Sequence, residues 1–376
     1  MLDRMRRLRR GATAAVGVFA AVVFAASCGG GNDASSNNNG QNTLRPAGPA
    51  ADKILNLFTP FFWLAVVIGV AVVGMTIYVA IRFRVKPGEE RSPVQVHGNT
   101  VLEVSWTIIP FLILMVMAVP TVATIFNLAE VPKGPDVVHI EVQGRQWFWQ
   151  YQYTDDDTGF YTANEMHIPI DRPVLLELTS NNVIHSFWVP ELAGKKDVVP
   201  GHPNQLTIEA NRTGEFLGQC AEYCGLSHAN MRLRVIAESE ADWEQWVQSQ
   251  QTQLSSATQA EFDKTISGEW GCVNCHSVTN RSEGAGAEED AVGSTIGPNL
   301  TRLGDRQAFA GDIFPMKLDD LTQWVYDAPA HKPAGPLQGW MPNFSEKGMT
   351  MEQAEDIARY LLCDTSTDPS SHPECT

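Results

Sequence analysis

Two stretches of this chain, Phe58 to Ile81 and Val104 to Ala129, carry no charged residue. A segment that crosses a hydrocarbon core of about 30 Å must satisfy its own backbone, and at about 1.5 Å per residue either stretch reaches across as a helix. The pattern predicts a two-helix transmembrane hairpin over residues 54–130, with spans at about 58–81 and 104–128. The connection between them carries Arg82, Arg84, Lys86 and Arg91 against Glu89 and Glu90, so it faces the cytoplasm. Both ends of the hairpin then face outward, and so does everything after about Glu130.

The N-terminus agrees with that orientation. Residues 1–27 have the layout of a signal peptide: Arg4, Arg6, Arg7, Arg9 and Arg10, an apolar stretch from Gly11 to Ala26, then Ser27 before Cys28. Cleavage at Cys28 would expose a thiol of the lipoprotein kind, although Ala25 stands where such signals usually carry Leu; an ordinary signal peptidase would suit the same bond. Residues 28–53 are rich in Gly, Asn, Ser, Ala and Pro and read as a flexible linker. A net charge of -16 excludes nucleic acid as a partner, because phosphate binding needs clustered Lys and Arg. The acidic runs Asp155–Asp157 and Glu288–Asp290 suit either a basic electron donor or simple solvation.

Between residues 131 and 255 the pattern is that of short strands. Ile140 and Val142 share one face, Trp147, Trp149, Tyr151 and Tyr153 another, with a slip of parity at Gly144 that a bulge would explain. Val174, Leu176 and Leu178 alternate, as do Leu206, Ile208 and Ala210, and Met231, Leu233 and Val235. Such strands, separated by Gly, Pro and Asn, predict a β-sandwich. A helix begins at Ser239-Glu-Ala-Asp242 and carries Trp243, Trp246 and Val247.

Within that region lies Cys220-Ala-Glu-Tyr-Cys224-Gly-Leu-Ser-His228-Ala-Asn-Met231, with His185 upstream in Asn-Val-Ile-His-Ser-Phe. Thiolates, imidazoles and a thioether form a set that suits copper, while two Cys and two His would also hold structural zinc. The spacing resembles the binuclear CuA loop of subunit II of haem-copper oxidases. That resemblance implies a cupredoxin-like fold and the ligands His185, Cys220, Glu222 through its main-chain carbonyl, Cys224, His228 and Met231. It also implies that Trp147, in Gln146-Trp147-Phe148-Trp149, lies at the surface over the copper centre and is where electrons enter. The family commonly has Tyr at the position of Phe148. Asn182 stands where many relatives carry Asp, which removes a negative charge from a docking surface. In Glu103-Val-Ser-Trp106-Thr107-Ile-Ile-Pro110 the resemblance makes Glu103 a proton-uptake entrance; by itself, a carboxylate at a helix N-terminus is also simply well placed.

Residues 260–376 contain Cys272-Val-Asn-Cys275-His276, the attachment motif for one covalently bound c-type haem with His276 as axial ligand. This region resembles an all-α class I cytochrome c. The resemblance assigns Pro298, in Gly297-Pro298-Asn299-Leu300, as the carbonyl that accepts from the axial imidazole, and Met341 as sixth ligand ahead of Met316, Met349 and Met351. A terminal helix opens with Thr350-Met-Glu-Gln353 and packs on a helix around Phe262 and Ile266; residues 283–293 read as a surface insertion. Cys363 and Cys375 remain as a pair that an oxidising compartment would join, geometry permitting.

The expectation is thus a multidomain chain: signal peptide, linker, transmembrane hairpin, cupredoxin-like CuA domain and cytochrome c domain. It resembles an electron-transfer subunit of a respiratory cytochrome c oxidase in a bacterial cell membrane, multi-pass, with both metal domains on the outer face. Its implied partners are oxidase subunit I, which reduces dioxygen to water coupled to proton translocation, subunit III, and a donor such as a cytochrome bc complex or small cytochrome. A CuA subunit of a nitric oxide reductase and a membrane-anchored copper carrier are the alternatives.

Overall fold

The structure is a computed structural model that describes residues 41–85, 87–88, 95, 97–154, 159–251, 268–277, 296–333 and 341–375. The expected signal peptide with Cys28, the acidic runs, most of the connection expected in the cytoplasm, and the residues expected to form a helix around Phe262 and Ile266 and a surface insertion lie outside these residues.

Helices α1 (Pro49–Arg82) and α2 (Thr100–Leu128) form the apolar hairpin. Side chains such as Val70, Met75, Val116 and Phe126 are exposed all around them, as lipid-facing helices require. Asn99 caps α2 by accepting from the Val101 and Leu102 amides, and Glu103 Oε1 accepts from the Asn99 amide at 3.2 Å. Lys53 of α1 bonds to Asn127 of α2 and joins the outer ends of the two helices.

Of the linker expected over residues 28–53, residues 41–53 are described, and Ala47 to Ala51 pack on the sandwich. Ala47 is fully buried; its amide donates to the Glu191 carbonyl and its carbonyl accepts from the Asn211 amide. A Cβ at Gly48 would stand 1.9 Å from the Glu209 carbonyl oxygen. Small side chains, read in the sequence as a lack of anchors, are what lets this segment lie flat against the sandwich.

The β-sandwich has two five-stranded sheets, ordered β3-β2-β1-β5-β8 and β4-β10-β9-β6-β7. The first comprises β1 (Val138–Arg145), β2 (Phe148–Tyr153), β3 (Phe160–Ala163), β5 (Val174–Ser180) and β8 (Asn204–Ile208). The second comprises β4 (Glu165–Pro169), β6 (His185–Trp188), β7 (Lys196–Val198), β9 (Gly214–Cys220) and β10 (Arg232–Glu238). Alternating residues such as Ile140, Trp149, Tyr151, Leu176, Phe187 and Phe216 fill the space between the sheets. The parity slip at Gly144 is not a bulge. β1 and β2 are separate antiparallel strands, with Arg145 opposite Phe148 and a two-residue turn at Gln146–Trp147. Trp147 therefore stands at a sheet corner, where the alternation of a single strand does not apply.

Helix α3 (Glu240–Gln251) is capped by Ser239, whose Oγ accepts from the Asp242 amide. It covers one end of the sandwich, with Trp246 stacked on the buried His167 at 4.1 Å between ring centres.

In the C-terminal domain, α4 (Leu318–His331) and α5 (Met351–Arg359) pack through Leu321, Val325, Ala354 and Ile357. Thr350 and Gln353 form the expected capping box, worth about 1 kcal/mol. Among the described residues of this helical domain, β11 (Ala308–Phe309) and β12 (Phe314–Pro315) form a short hairpin. Cys363 and Cys375 are bonded to each other, with Cα atoms 5.5 Å apart, which closes the tail after a π-helical turn.

Candidate metal and haem sites

Strand pairing brings the Cys and His residues together. Phe187 of β6 lies opposite Cys220 at the end of β9, so His185 and Cys220 meet at one edge of the sandwich. The loop from Cys220 returns to β10 at Met231 and folds over that edge, with the Cys220 amide bonded to the Met231 carbonyl at 2.9 Å. Cys220 Sγ lies 3.8 Å from Cys224 Sγ, 3.8 Å from His185 Nδ1 and 3.2 Å from the Glu222 carbonyl oxygen. Cys224 Sγ lies 3.6 Å from His228 Nδ1 and 3.8 Å from Met231 Sδ. Each sulfur thus has one imidazole and one weaker donor at its side. Contact with Cys224 holds the Cys220 thiol down to about 4, and the same contact, aided by burial, pushes the Cys224 thiol up. The pair yields one proton readily and resists losing the second.

Two features around this edge were not legible from spacing. A Cβ at Gly144 would stand 2.9 Å from His185 Cδ2, so the missing side chain makes room for the imidazole. Asn182 Oδ1 lies 3.1 Å from His185 Nε2 and fixes the ring with Nδ1 toward Cys220. In the sequence Asn182 reads only as a lost surface charge; its position three residues before His185, in the turn that enters β6, is the signal that could have revealed it.

The C-terminal domain encloses a cavity of about 290 Å³, bounded by Cys272, Cys275, His276 and Met341 and, from the sandwich, by Gln146 and Trp147. The Pro298 carbonyl lies 2.8 Å from His276 Nδ1, which leaves Nε2 as the free ring nitrogen. Burial lowers the pKa of His276, with the Pro298 contact opposing. A Cβ at Gly297 would meet His276 Cε1 at 2.6 Å. Among the other methionines, Met316 and Met349 are buried in the domain core and Met351 is partly exposed at the start of α5; Met341 lines the cavity.

Trp147 was expected at the surface, but it is only 7 % exposed. The chain's own C-terminal domain covers it. Its Nε1 donates to the Cys224 carbonyl at 3.0 Å, and Gln146 Nε2 donates to the same oxygen at 2.6 Å. Gly225, at φ +115°, lets the loop pass within contact of both side chains. Glu103 lies in the first turn of α2, exposed, in its capping role.

Fold and sites together define a class: membrane-anchored redox proteins with an outward cupredoxin-like domain followed by a cytochrome c domain. Residues 36–124 match the transmembrane domain of cytochrome c oxidase subunit II, residues 158–238 its periplasmic domain, and residues 262–363 the cytochrome c family. Cytochrome c oxidase subunit 2 of Alkalihalophilus pseudofirmus is 33% identical over 312 residues, covering 81% of this chain and 87% of that protein. Its counterpart in Bacillus subtilis is 33% identical over 321 residues, covering 81% and 88%. The periplasmic domain of subunit II of cytochrome oxidase from Bradyrhizobium japonicum, a solved structure, is 31% identical and covers 32% of this chain and 96% of that one, with a TM-score of 0.30. The chain belongs to the cytochrome c oxidase subunit II family. It is an electron-transfer subunit of a respiratory oxidase, and a subunit I is its implied partner.

Proposed function

We propose that this chain relays electrons from a c-type haem held by Cys272, Cys275, His276 and Met341 to a binuclear copper centre held by His185, Cys220, Glu222 O, Cys224, His228 and Met231. The observation that carries this reading is Trp147: one indole lines the haem-binding cavity and donates to the backbone of Cys224. The donor set fits two coppers better than one zinc, because each thiolate has its own imidazole and its own weak donor, Glu222 O or Met231 Sδ. When bound, the two groups supply one-electron redox chemistry. The residues supply the rest: Asn182 and the Pro298 carbonyl orient the imidazoles, the sandwich edge holds the ligands with little room to reorganise, and burial keeps water from Cys220 and Cys224. Electrons pass on to the haem-copper site of subunit I. Subunit III, and a cytochrome bc complex or small cytochrome as donor to the haem, complete the assembly, with the metal domains on the outer face of a bacterial cell membrane.

Metal and optical measurement of the purified full chain tests the reading. Two coppers and one covalently bound haem per chain are expected; stoichiometric zinc without copper would overturn it. Glu103 is the proposed proton-uptake entrance, on the strength of its place in the first turn of α2, the end that the basic connection would put in the cytoplasm. Glu103→Gln should slow dioxygen turnover of the assembled oxidase while the metal spectra stay intact. Unchanged turnover would leave Glu103 only its capping role.

A further inference from the structure

Among the described residues, the cytochrome domain meets the sandwich through a short turn with the residue before its hairpin, and through a buried side chain with the residue after it. The turn joins β11 to β12, and three consecutive residues in it, Ala310, Gly311 and Asp312, have φ of 56°, 84° and 59°. For Ala and Asp this left-handed backbone costs about 1 kcal/mol or more each, and it persists only where the surroundings hold it. Here part of the surroundings belongs to the other domain. The Gly311 carbonyl accepts from the Arg232 amide at 3.2 Å, and Asp312 Oδ1 accepts from Arg234 Nε at 3.0 Å. Nearby, the Gln307 amide donates to Glu165 Oε2 at 2.9 Å.

The side chain is Lys332, just past the end of α4 and 3 % exposed. Its Nζ donates to the Ala310 carbonyl at 2.8 Å and to the Trp147 carbonyl at 2.8 Å, one acceptor in each domain. Burial pushes its pKa down to about 7, with attraction to Cys224 opposing. Whether charged or neutral, the amino group has enough N–H bonds for both carbonyls. On the neighbouring residue, the Pro333 carbonyl accepts from Ser227 Oγ in the copper loop. The copper-domain carbonyl that Lys332 holds belongs to the residue whose indole lines the haem-binding cavity.

We propose that Lys332 is a positioning residue for electron transfer within the chain: by tying the Ala310 carbonyl to the Trp147 carbonyl, it keeps the haem crevice docked on the corner of the sandwich that touches the copper loop. The inference rests on the relay reading. Transfer between the two centres then needs no encounter of the domains, and the Trp147 corner is closed to external donors, which must reduce the haem instead. Losing Lys332 turns a docked relay into one that waits for the domains to meet.

The test is made in the assembled, metal-loaded oxidase, by rapid photoreduction of the haem and optical detection of copper reduction. In the unaltered protein the rate should not depend on solvent viscosity. In Lys332→Met, which keeps the aliphatic stem and removes both donors, it should fall about tenfold or more and become viscosity-dependent, with unaltered haem and copper spectra. Lys332→Gln, which keeps an amide donor of shorter reach, should lie between the two. An unchanged rate in Lys332→Met, a fall that is independent of viscosity, or a viscosity-dependent rate in the unaltered protein would each overturn the positioning role. Failure of the unaltered protein to pass electrons from haem to copper would overturn the relay itself, a result distinguishable from all of these.

Discussion

Replacing Cys220 by serine should abolish the mixed-valence copper signal, the hyperfine multiplet of one electron shared by two copper nuclei. Cys220 Sγ contacts Cys224 Sγ, His185 Nδ1 and the Glu222 carbonyl, so it lies at the junction of the donor set. A hydroxyl is a harder and shorter donor and cannot bridge two coppers as a thiolate does. The haem absorbance should be unaffected, because Cys272, Cys275 and His276 line a separate cavity. Asn182→Leu is the informative contrast. It keeps every donor and removes the acceptor at His185 Nε2, along with that oxygen's bonds from the Val183 amide and Ser180 Oγ, so the multiplet should survive while copper affinity drops about 10–100-fold. Paramagnetic resonance with copper quantification reads both results, and a surviving multiplet in Cys220→Ser would refute the binuclear assignment.

The second large effect is expected at Trp147. Trp147→Phe retains an aromatic ring at the corner and removes the N–H bond to the Cys224 carbonyl, while Gln146 Nε2 continues to satisfy that oxygen. The metal spectra should therefore persist. Haem-to-copper transfer should slow by about tenfold or more, equivalent to at least ~1.4 kcal/mol of barrier. Photoreduction of the haem with optical detection at the copper centre measures it. An equal rate in variant and parent would take the indole out of the route.

Several elements were legible because one local signal decides each of them. Absence of charge over two long stretches makes α1 and α2, since lipid offers a backbone no other partner. Cys-x-x-Cys-His holds its chemistry within five residues. Thr350 and Gln353 announce α5 by a contact within one helical turn. Where the signal depended on a distant partner, the sequence misled. Gly144 reads as a bulge and serves as space for His185; Asn182 reads as a missing charge and serves as an acceptor for the same ring. Residues 41–52 read as a linker because small side chains suggest no anchor, yet smallness is what lets them lie against Glu209 and Leu192.

The sequence by itself determined the kinds of donor, their order along the chain and the side of the membrane on which they lie, because composition and spacing act over a few residues. Tertiary structure alone decided which donors face which sulfur, that Asn182 orients His185, and that Trp147 is buried under the C-terminal domain instead of open to solvent. The contacts that decide these points join residues far apart in the chain, as Lys332 and Trp147 are. Their distances depend on strand register and domain docking, which no local pattern encodes.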